Sequence, residues 1–264
     1  MIRSSGLDDL YVGIDLGGTK ILALVADMHG QIYGESVLPT PSTESPEKSL
    51  QVISQVVSAA LKKNSRNRIK GVGIAAAGAI DSKNGVVVHT PQLPLWKNVP
   101  LVSMVEEIFG YPTVMGNDAN LAALSEHRYG AALGISNILY VTVSTGIGGG
   151  ILINGQIYSG WHGFAGEVGH ASVDINGPFG KSSVPGAIES FSSGAALTRI
   201  SNEYIAAGHT TVMENIDLSA MVIFQAYKNG DNLAKKVIDQ GIRHLGLGLA
   251  NMVNILDPEM IVIG

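Results

Sequence analysis

Four short stretches of this sequence bring together residue types that act on phosphate or on hydroxyl groups. The first is DLGGTK, Asp15 to Lys20, directly behind the apolar run YVGI. Gly17 and Gly18 let backbone N–H groups approach an anion with no Cβ in the way, while Thr19 adds a hydroxyl donor and Lys20 a positive charge. Asp15 would repel a phosphate, and it makes sense there with a divalent cation, Mg2+ first among them, lying between the two. Taken alone, the stretch reads equally well as a glycine hairpin between strands. The second stretch, STGIGGG from Ser144 to Gly150, repeats the same physics in the other half of the chain. Two such turns can embrace one polyphosphate from opposite sides. Neither is a Walker A loop, and GVGIAA at 71–76 is no dinucleotide fingerprint because a hairpin, not a helix, follows it.

The third stretch is GNDAN, Gly116 to Asn120, where a strand ends and a helix starts. Asp118 reads there as a helix N-cap, or as a general base that takes the proton of a hydroxyl attacking a γ-phosphate. The fourth is GEVGH, Gly166 to His170, which sets Glu167 and His170 three apart in a glycine-rich loop. A charged acceptor beside a two-way hydrogen-bonding ring suits polyol recognition, whereas a zinc reading of His170 lacks a second ligand beside it. Glu189, in GAIES, opens a helix and reads either as a ligand or as a favourable charge at that helix's N-terminus.

These residues have to be held by elements that the pattern also predicts. YVGID, KILALVAD and IYGESVLPT read as three consecutive antiparallel strands. A helix follows from SPEKSLQVISQVVSAALKK, with Ser45 as its cap, Pro46 in its first turn, and Leu50, Ile53, Val57, Ala60 and Leu61 along one face. RIKGVGIAAAG is a strand, Asn84-Gly85 marks a reversal, PLVSMVEEIFG is a short helix stopped by Gly110, and YPTVMGN is another strand. The second half opens with a helix at Asp118. The strand SNILYVTVS then runs through TGIGGG into ILINGQIYSG, followed by an irregular region to about Gly186. Helices over 188–207 and 217–253 precede a last strand in LDPEMIVIG. Strand, glycine turn, strand therefore occurs in both halves. The pattern predicts two similar α/β domains facing each other across a cleft: a smaller one over 1–117 and a larger one over 118–264.

Bulk composition narrows the function classes. The chain has 264 residues, 45% of them apolar, enough for a sizeable core. Charged residues make up 15% and the net charge is −5, which argues against a nucleic-acid or polybasic membrane surface. No apolar run is long enough for a membrane span, and MIRSSGLDDL has no apolar segment behind its arginine. There are no cysteines, which excludes disulfides and thiolate metal sites and fits a cytoplasmic address.

Together the stretches resemble the ROK family (repressors, open reading frames and sugar kinases) within the actin-like, Hsp70-like and hexokinase-like ATPase superfamily. DLGGTK, GIAAAGAID with HTPQLPLW, NDANLAAL, STGIGGG, GFAGEVGH, GAIES and LDPEMIVIG match its landmarks in order along essentially the whole chain. The resemblance implies two α/β domains of the actin-like (ribonuclease H-like) fold closing over ATP, Mg2+ and a hexose such as glucose or N-acetylmannosamine. Asp118 would then be the catalytic base. Asn117, Glu167, His170 and Glu189 would bind the sugar, with Gly78 presenting backbone to it. Gly17, Gly18, Thr19, Lys20, Thr145, Gly146 and Gly148 would cradle phosphates, with Asp15 near the metal. A homodimer with no nucleic-acid or membrane partner is expected.

Three departures from the family pattern stand out. Many members bind a structural zinc after the GH histidine, but here Gly180, Ser182 and Ala187 replace the cysteines, so no zinc site is predicted. Pro91-Gln92 replaces a common Pro-Asn and makes Gln92 a candidate for hexose preference. Members also continue past the last strand with another glycine turn and helices, so the second domain is expected to fall short at its C-terminal end. A sugar-responsive repressor would carry a helix-turn-helix ahead of Tyr11, where only ten residues stand. A non-catalytic sugar-binding protein or sensor of the same family is the remaining alternative.

Overall fold

The structure, a computed structural model, describes residues 9–61, 68–180 and 183–264. The N-terminal residues 1–8, the expected helix end at Lys62 and Lys63, and Ser182 lie outside the described residues. The chain divides into two compact units. One runs to Leu121 and takes in Ser159–Phe164; the other comprises Ala122–Tyr158 and Ala165–Gly264.

In the first unit, apolar side chains at every second position put one face of each strand into a core. β1 (Leu10–Leu16) buries Leu10, Val12, Ile14 and Leu16, and β2 (Lys20–Asp27) buries Ile21, Ala23 and Val25. β3 (Ile32–Pro39) completes an antiparallel meander. α1 (Pro46–Ala60) lays Leu50, Ile53, Val56, Val57 and Ala60 onto it. Ser45 stands at the N-cap position of α1, but its hydroxyl serves the Glu47 carboxylate and caps no backbone amide. The chain continues through β4 (Ile69–Ala76), then β5 (Ala79–Asp81), β6 (Val86–His89) and β7 (Lys97–Val99), which form a small sheet of their own. β7 is not predicted by the sequence pattern, because KNV offers no alternation. α2 (Leu101–Phe109) ends on left-handed Gly110, and β8 (Thr113–Asn117) follows. The main sheet has the order β3-β2-β1-β4-β8, with β4 parallel to both β1 and β8. The loop between β6 and β7 is anchored by Trp96, which is fully buried in this core.

The second unit repeats the arrangement. α3 (Asp118–Tyr129), whose first turn to Leu121 belongs to the first unit, leads to β9 (Ile138–Val143) and β10 (Ile147–Ile153), an antiparallel pair joined by the second glycine turn. The short β11 (Gln156–Ile157) pairs with β10. The helical region expected over 188–207 is broken at Ser193 into α4 (Glu189–Ser192) and α5 (Gly194–Ala206), because the Ser193 hydroxyl caps α5 by accepting from the Ala196 N–H. That over 217–253 is broken likewise into α6 (Ala220–Lys228) and α7 (Asn232–Leu256), with Asp231 capping α7 through the Ala234 N–H at 2.8 Å. β12 (Met260–Ile263) adds to β9 in parallel, just as β4 adds to β1. α4 sits on α7 where glycines leave room: a Cβ on Gly241 would stand 3.1 Å from the Phe191 carbonyl, the Gly241 carbonyl accepts from the Ser192 hydroxyl at 2.8 Å, and Gly248 lies under Ile188.

The segment that follows His170 is held by backbone bonds among the described residues. Val173 N–H donates to the Gly186 carbonyl, Gly186 N–H to Pro178, and Ile188 N–H to Ala171, while the Ser172 hydroxyl donates to the Pro185 carbonyl at 2.7 Å. Gly186 is left-handed (φ +64°), and a Cβ there would run into the Asp174 carbonyl. Among the described residues no three His, Asp or Glu side chains cluster as metal ligands. Gly186→Ala should therefore cost about 1–3 kcal/mol or more in chemical denaturation. A zinc chelator should leave the unfolding midpoint of the unsubstituted protein unchanged.

Candidate functional site

In the first unit the candidate residues gather at the carboxyl ends of β1, β4 and β8. Asp15 lies beside Ala75, and Ala75 beside Gly116; one step on, Leu16, Ala76 and Asn117 form the next row. Ligands of parallel sheets bind at this end. The turn that follows β1 is tight, with Gly17 N–H donating to the Lys20 carbonyl at 3.1 Å. Two of its carbonyls are taken up by one residue: Thr40 donates its hydroxyl to Gly17 O at 2.7 Å and its N–H to Thr19 O at 3.0 Å. The Gly18 and Thr19 amides make no backbone bond among the described residues. Amides without carbonyls beside them are what an anion needs. Thr19 and Lys20 are exposed.

The two acidic residues differ in role. Helix α3 is capped by Asn117, whose Oδ1 accepts from the Ala119 and Asn120 N–H groups at 3.0 and 3.2 Å. The same side chain donates from Nδ2 to the Gly78 carbonyl at 3.3 Å, and Gly78 is itself left-handed at φ +101°. Asp118 is thus not the cap; its Oδ1 lies 2.9 Å from the Ala119 N–H, and its other oxygen has no hydrogen-bond partner among the described residues. Asp15 is half-buried. Its pKa is raised above the ordinary 3.8, first by burial and then by the negative charge of Asp118, with Lys20 opposing. A half-buried carboxylate whose ionised form is disfavoured makes a place for a hard cation, whose remaining ligands would be phosphate oxygens and water.

In the second unit the turn 144–146 has the same electrical design. Its carbonyls are bound by the start of α5, with Gly194 N–H donating to Ser144 O at 2.8 Å and Ala195 N–H to Thr145 O at 3.3 Å. The Thr145 and Gly146 amides are left without backbone partners among the described residues, while Gly148 lies inside β10 opposite Thr142. Glu189, the first residue of α4, accepts the Ile147 N–H on Oε2 at 3.0 Å. The GEVGH segment forms a 3-10 turn over Val168–His170 and packs its glycines against the same strand. Gly169 lies against the Ile147 carbonyl, and a Cβ on Gly166 (φ +97°) would stand 2.7 Å from the Gly149 carbonyl. Glu167 and His170 are side by side, Oε2 to Nδ1 3.7 Å, an ion pair when the imidazole is protonated.

Thus Asp15, Gly17, Gly18, Thr19, Lys20, Gly78, Gln92, Asn117 and Asp118 share the first unit. Thr145, Gly146, Gly148, Glu167, His170 and Glu189 share the second. Gln92 stands unexpectedly close to the first turn: its stem lies against Gly18, and its Oε1 accepts the Thr90 hydroxyl at 2.7 Å. The sequence pattern also misses a cavity of about 920 Å3 that opens beside Ser144 and Thr145 and is walled by α5 and α6. Its polar groups include Thr198, Asn202 and Ser219 together with the charged Arg199 and Glu203, and Leu197, Leu218 and Phe224 form its apolar wall. It has the size and mixed lining of a site for a nucleoside-sized ligand.

The ROK family model matches residues 11–264. The chain belongs to the ROK family. A glucokinase of Halalkalibacterium halodurans is 34% identical over 97% of this chain and 80% of its own length. A xylose repressor of Caldicellulosiruptor bescii is 33% identical over 96% of this chain, which spans only 65% of that relative. Among solved ROK structures, a glucokinase from Streptomyces griseus in complex with glucose and AMPPNP superposes with a TM-score of 0.79. It is 33% identical over 97% of this chain and 82% of that one. The fold is that of the ROK kinases within the actin-like ATPase superfamily.

The raised pKa of Asp15 has a measurable sign. Well below 3.8 the carboxyl is protonated in folded and unfolded chains alike. As pH rises, the unfolded chain ionises first, so this group lowers stability through the window between 3.8 and the raised folded value, and the deficit persists above it. Asp15→Asn should therefore be more stable than the unsubstituted protein at pH 7 and equal to it near pH 3, as read by denaturant unfolding at both pH values.

Proposed function

We propose that this ROK protein is an ATP-dependent hexose kinase with Asp118 as general base. The observation that carries the reading is the division of labour in GNDAN. Asn117 caps α3, which leaves Asp118 with a carboxylate oxygen unpartnered among the described residues, at the sheet end where the first phosphate turn also lies. A base must have such a free oxygen within reach of the proton it takes. In the step proposed, a sugar hydroxyl oxygen forms a bond to the γ-phosphorus and the bond from that phosphorus to the β-bridging oxygen breaks. ADP leaves, and the hydroxyl proton passes to Asp118. The Gly18, Thr19, Thr145 and Gly146 amides hold phosphate oxygens, and the cavity beside Thr145 takes the nucleoside. Asp15 would hold the Mg2+, which when bound neutralises phosphate charge. Glu167, His170 and Glu189 recognise sugar hydroxyls, and Asn117 fixes the Gly78 carbonyl on the sugar side. Glucose and N-acetylmannosamine are the hexoses of first choice, with a cytoplasmic homodimer as the working form; no helix among the described residues is long and apolar enough to cross a membrane.

The relative named as a xylose repressor favours a second reading, a sugar-binding regulator without turnover. The two separate in an assay of ADP release over a panel of hexoses with ATP and Mg2+. A kinase releases ADP with one or more of them; a regulator binds a sugar by calorimetry and releases none. Asp118→Asn should lose about 100- to 10,000-fold in kcat while keeping hexose affinity. Turnover like that of the unsubstituted protein would remove Asp118 from the role of base.

A further inference from the structure

In each unit, a residue assigned above to the sugar is packed against a glycine of the phosphate turn. In the first unit, a Cβ on Gly18 would stand 2.5 Å from Gln92 Cβ and 2.8 Å from its Cγ, so the Gln92 stem is the floor on which the turn rests. The head of Gln92 is steadied by Thr90, which is buried and lies in turn under left-handed Gly78. In the second unit, a Cβ on Gly146 would stand 2.5 Å from Glu189 Oε2, and that oxygen accepts the next amide of the chain, Ile147 N–H. Glu189 is in turn fixed by α4 on the glycines of α7. Both turns have amides without backbone partners among the described residues, and in both the side chain packed on the turn comes from a segment distant in sequence.

We infer that Gln92 and Glu189 are positioning residues for the nucleotide's phosphates, each shaping the turn in its own unit, in addition to any contact they make with the hexose. The inference rests on the kinase reading and deepens it. A residue that only touches sugar changes hexose affinity and leaves nucleotide binding in the absence of sugar alone. A residue that shapes a phosphate turn changes nucleotide affinity with no sugar present.

The experiment is calorimetric titration of the protein with AMPPNP and Mg2+ in the absence of hexose, followed by a separate titration with hexose. Gln92→Gly, which removes the floor, and Glu189→Ala, which frees the Ile147 amide, should each weaken AMPPNP about five-fold or more, the lower end of ordinary coupling between sites. Glu189→Gln, whose side-chain carbonyl still accepts from Ile147, should recover most of that loss. Gly18→Ala should weaken AMPPNP in the unsubstituted background and cost markedly less when combined with Gln92→Gly, because the new methyl then fills the space vacated. Gly146→Ala serves if Glu189→Ala does not fold, since it displaces the carboxylate from the other side and should weaken AMPPNP likewise. AMPPNP affinity within two-fold of the unsubstituted protein in Gln92→Gly and Glu189→Ala, with hexose affinity reduced, would overturn the inference and leave the kinase reading standing. Unsubstituted protein that binds neither AMPPNP nor hexose would overturn both.

Discussion

An anion can be held by backbone only where amides face it and carbonyls do not, and a sharp turn exposes both kinds of group. The two glycine turns meet this constraint in the same way: the carbonyls are occupied from behind. Thr40 takes the carbonyls of Gly17 and Thr19, and the first amides of α5 take those of Ser144 and Thr145. What faces outward is then a patch of positive partial charge built with no arginine and one lysine. Much of the remaining architecture supplies the backing. β3 has to run to Pro39 so that Thr40 arrives at the turn, and the helical stretch after Gly186 has to break at Ser193 so that α5 starts where Ser144 needs a donor.

The same economy explains glycines outside the two phosphate turns. Gly166 and Gly169 let the GEVGH loop lie directly on β10, and Gly241 and Gly248 let α4 lie on α7. Each close approach replaces a layer of side chains with backbone contact, so a functional group is placed by the position of a strand or helix and little by rotamer choice. In the loop over 171–188, the bonds between Val173 and Gly186, Gly186 and Pro178, and Ile188 and Ala171 run from amide to carbonyl, and the Ser172 hydroxyl adds one to Pro185.

Much of this was legible in the residues and some of it was not. Alternation in LYVGIDL and KILALVAD gives the strands, and the glycines between them give the turn, because both signals are local. Asp118 and Asn117 are adjacent, and either suits a helix cap; which one takes it is decided by the Gly78 carbonyl, which pulls Asn117 into place from far along the chain. The place of Gln92 in HTPQLPLW points to a hexose contact, whereas its packing on Gly18 depends on a fold that brings positions 18 and 92 together. The cavity beside Thr145 was invisible for the same reason, since its wall is assembled from two helices with ordinary amphipathic patterns. The break at Ser193 did have a local signal, a serine followed by glycine in mid-helix.

Trp96 lies fully buried where it anchors the loop that carries Thr90 and Gln92, and the chain has one other tryptophan, Trp161, which is 94% exposed. The protein therefore carries two optical probes of opposite character. Emission from a ring packed in apolar surroundings lies to the blue and is shielded from aqueous quenchers, whereas a solvated indole emits to the red and is readily quenched. Once an external quencher has silenced Trp161, the residual fluorescence reports on one loop of the first unit, so events at the base of the sugar-side segment can be followed without a label.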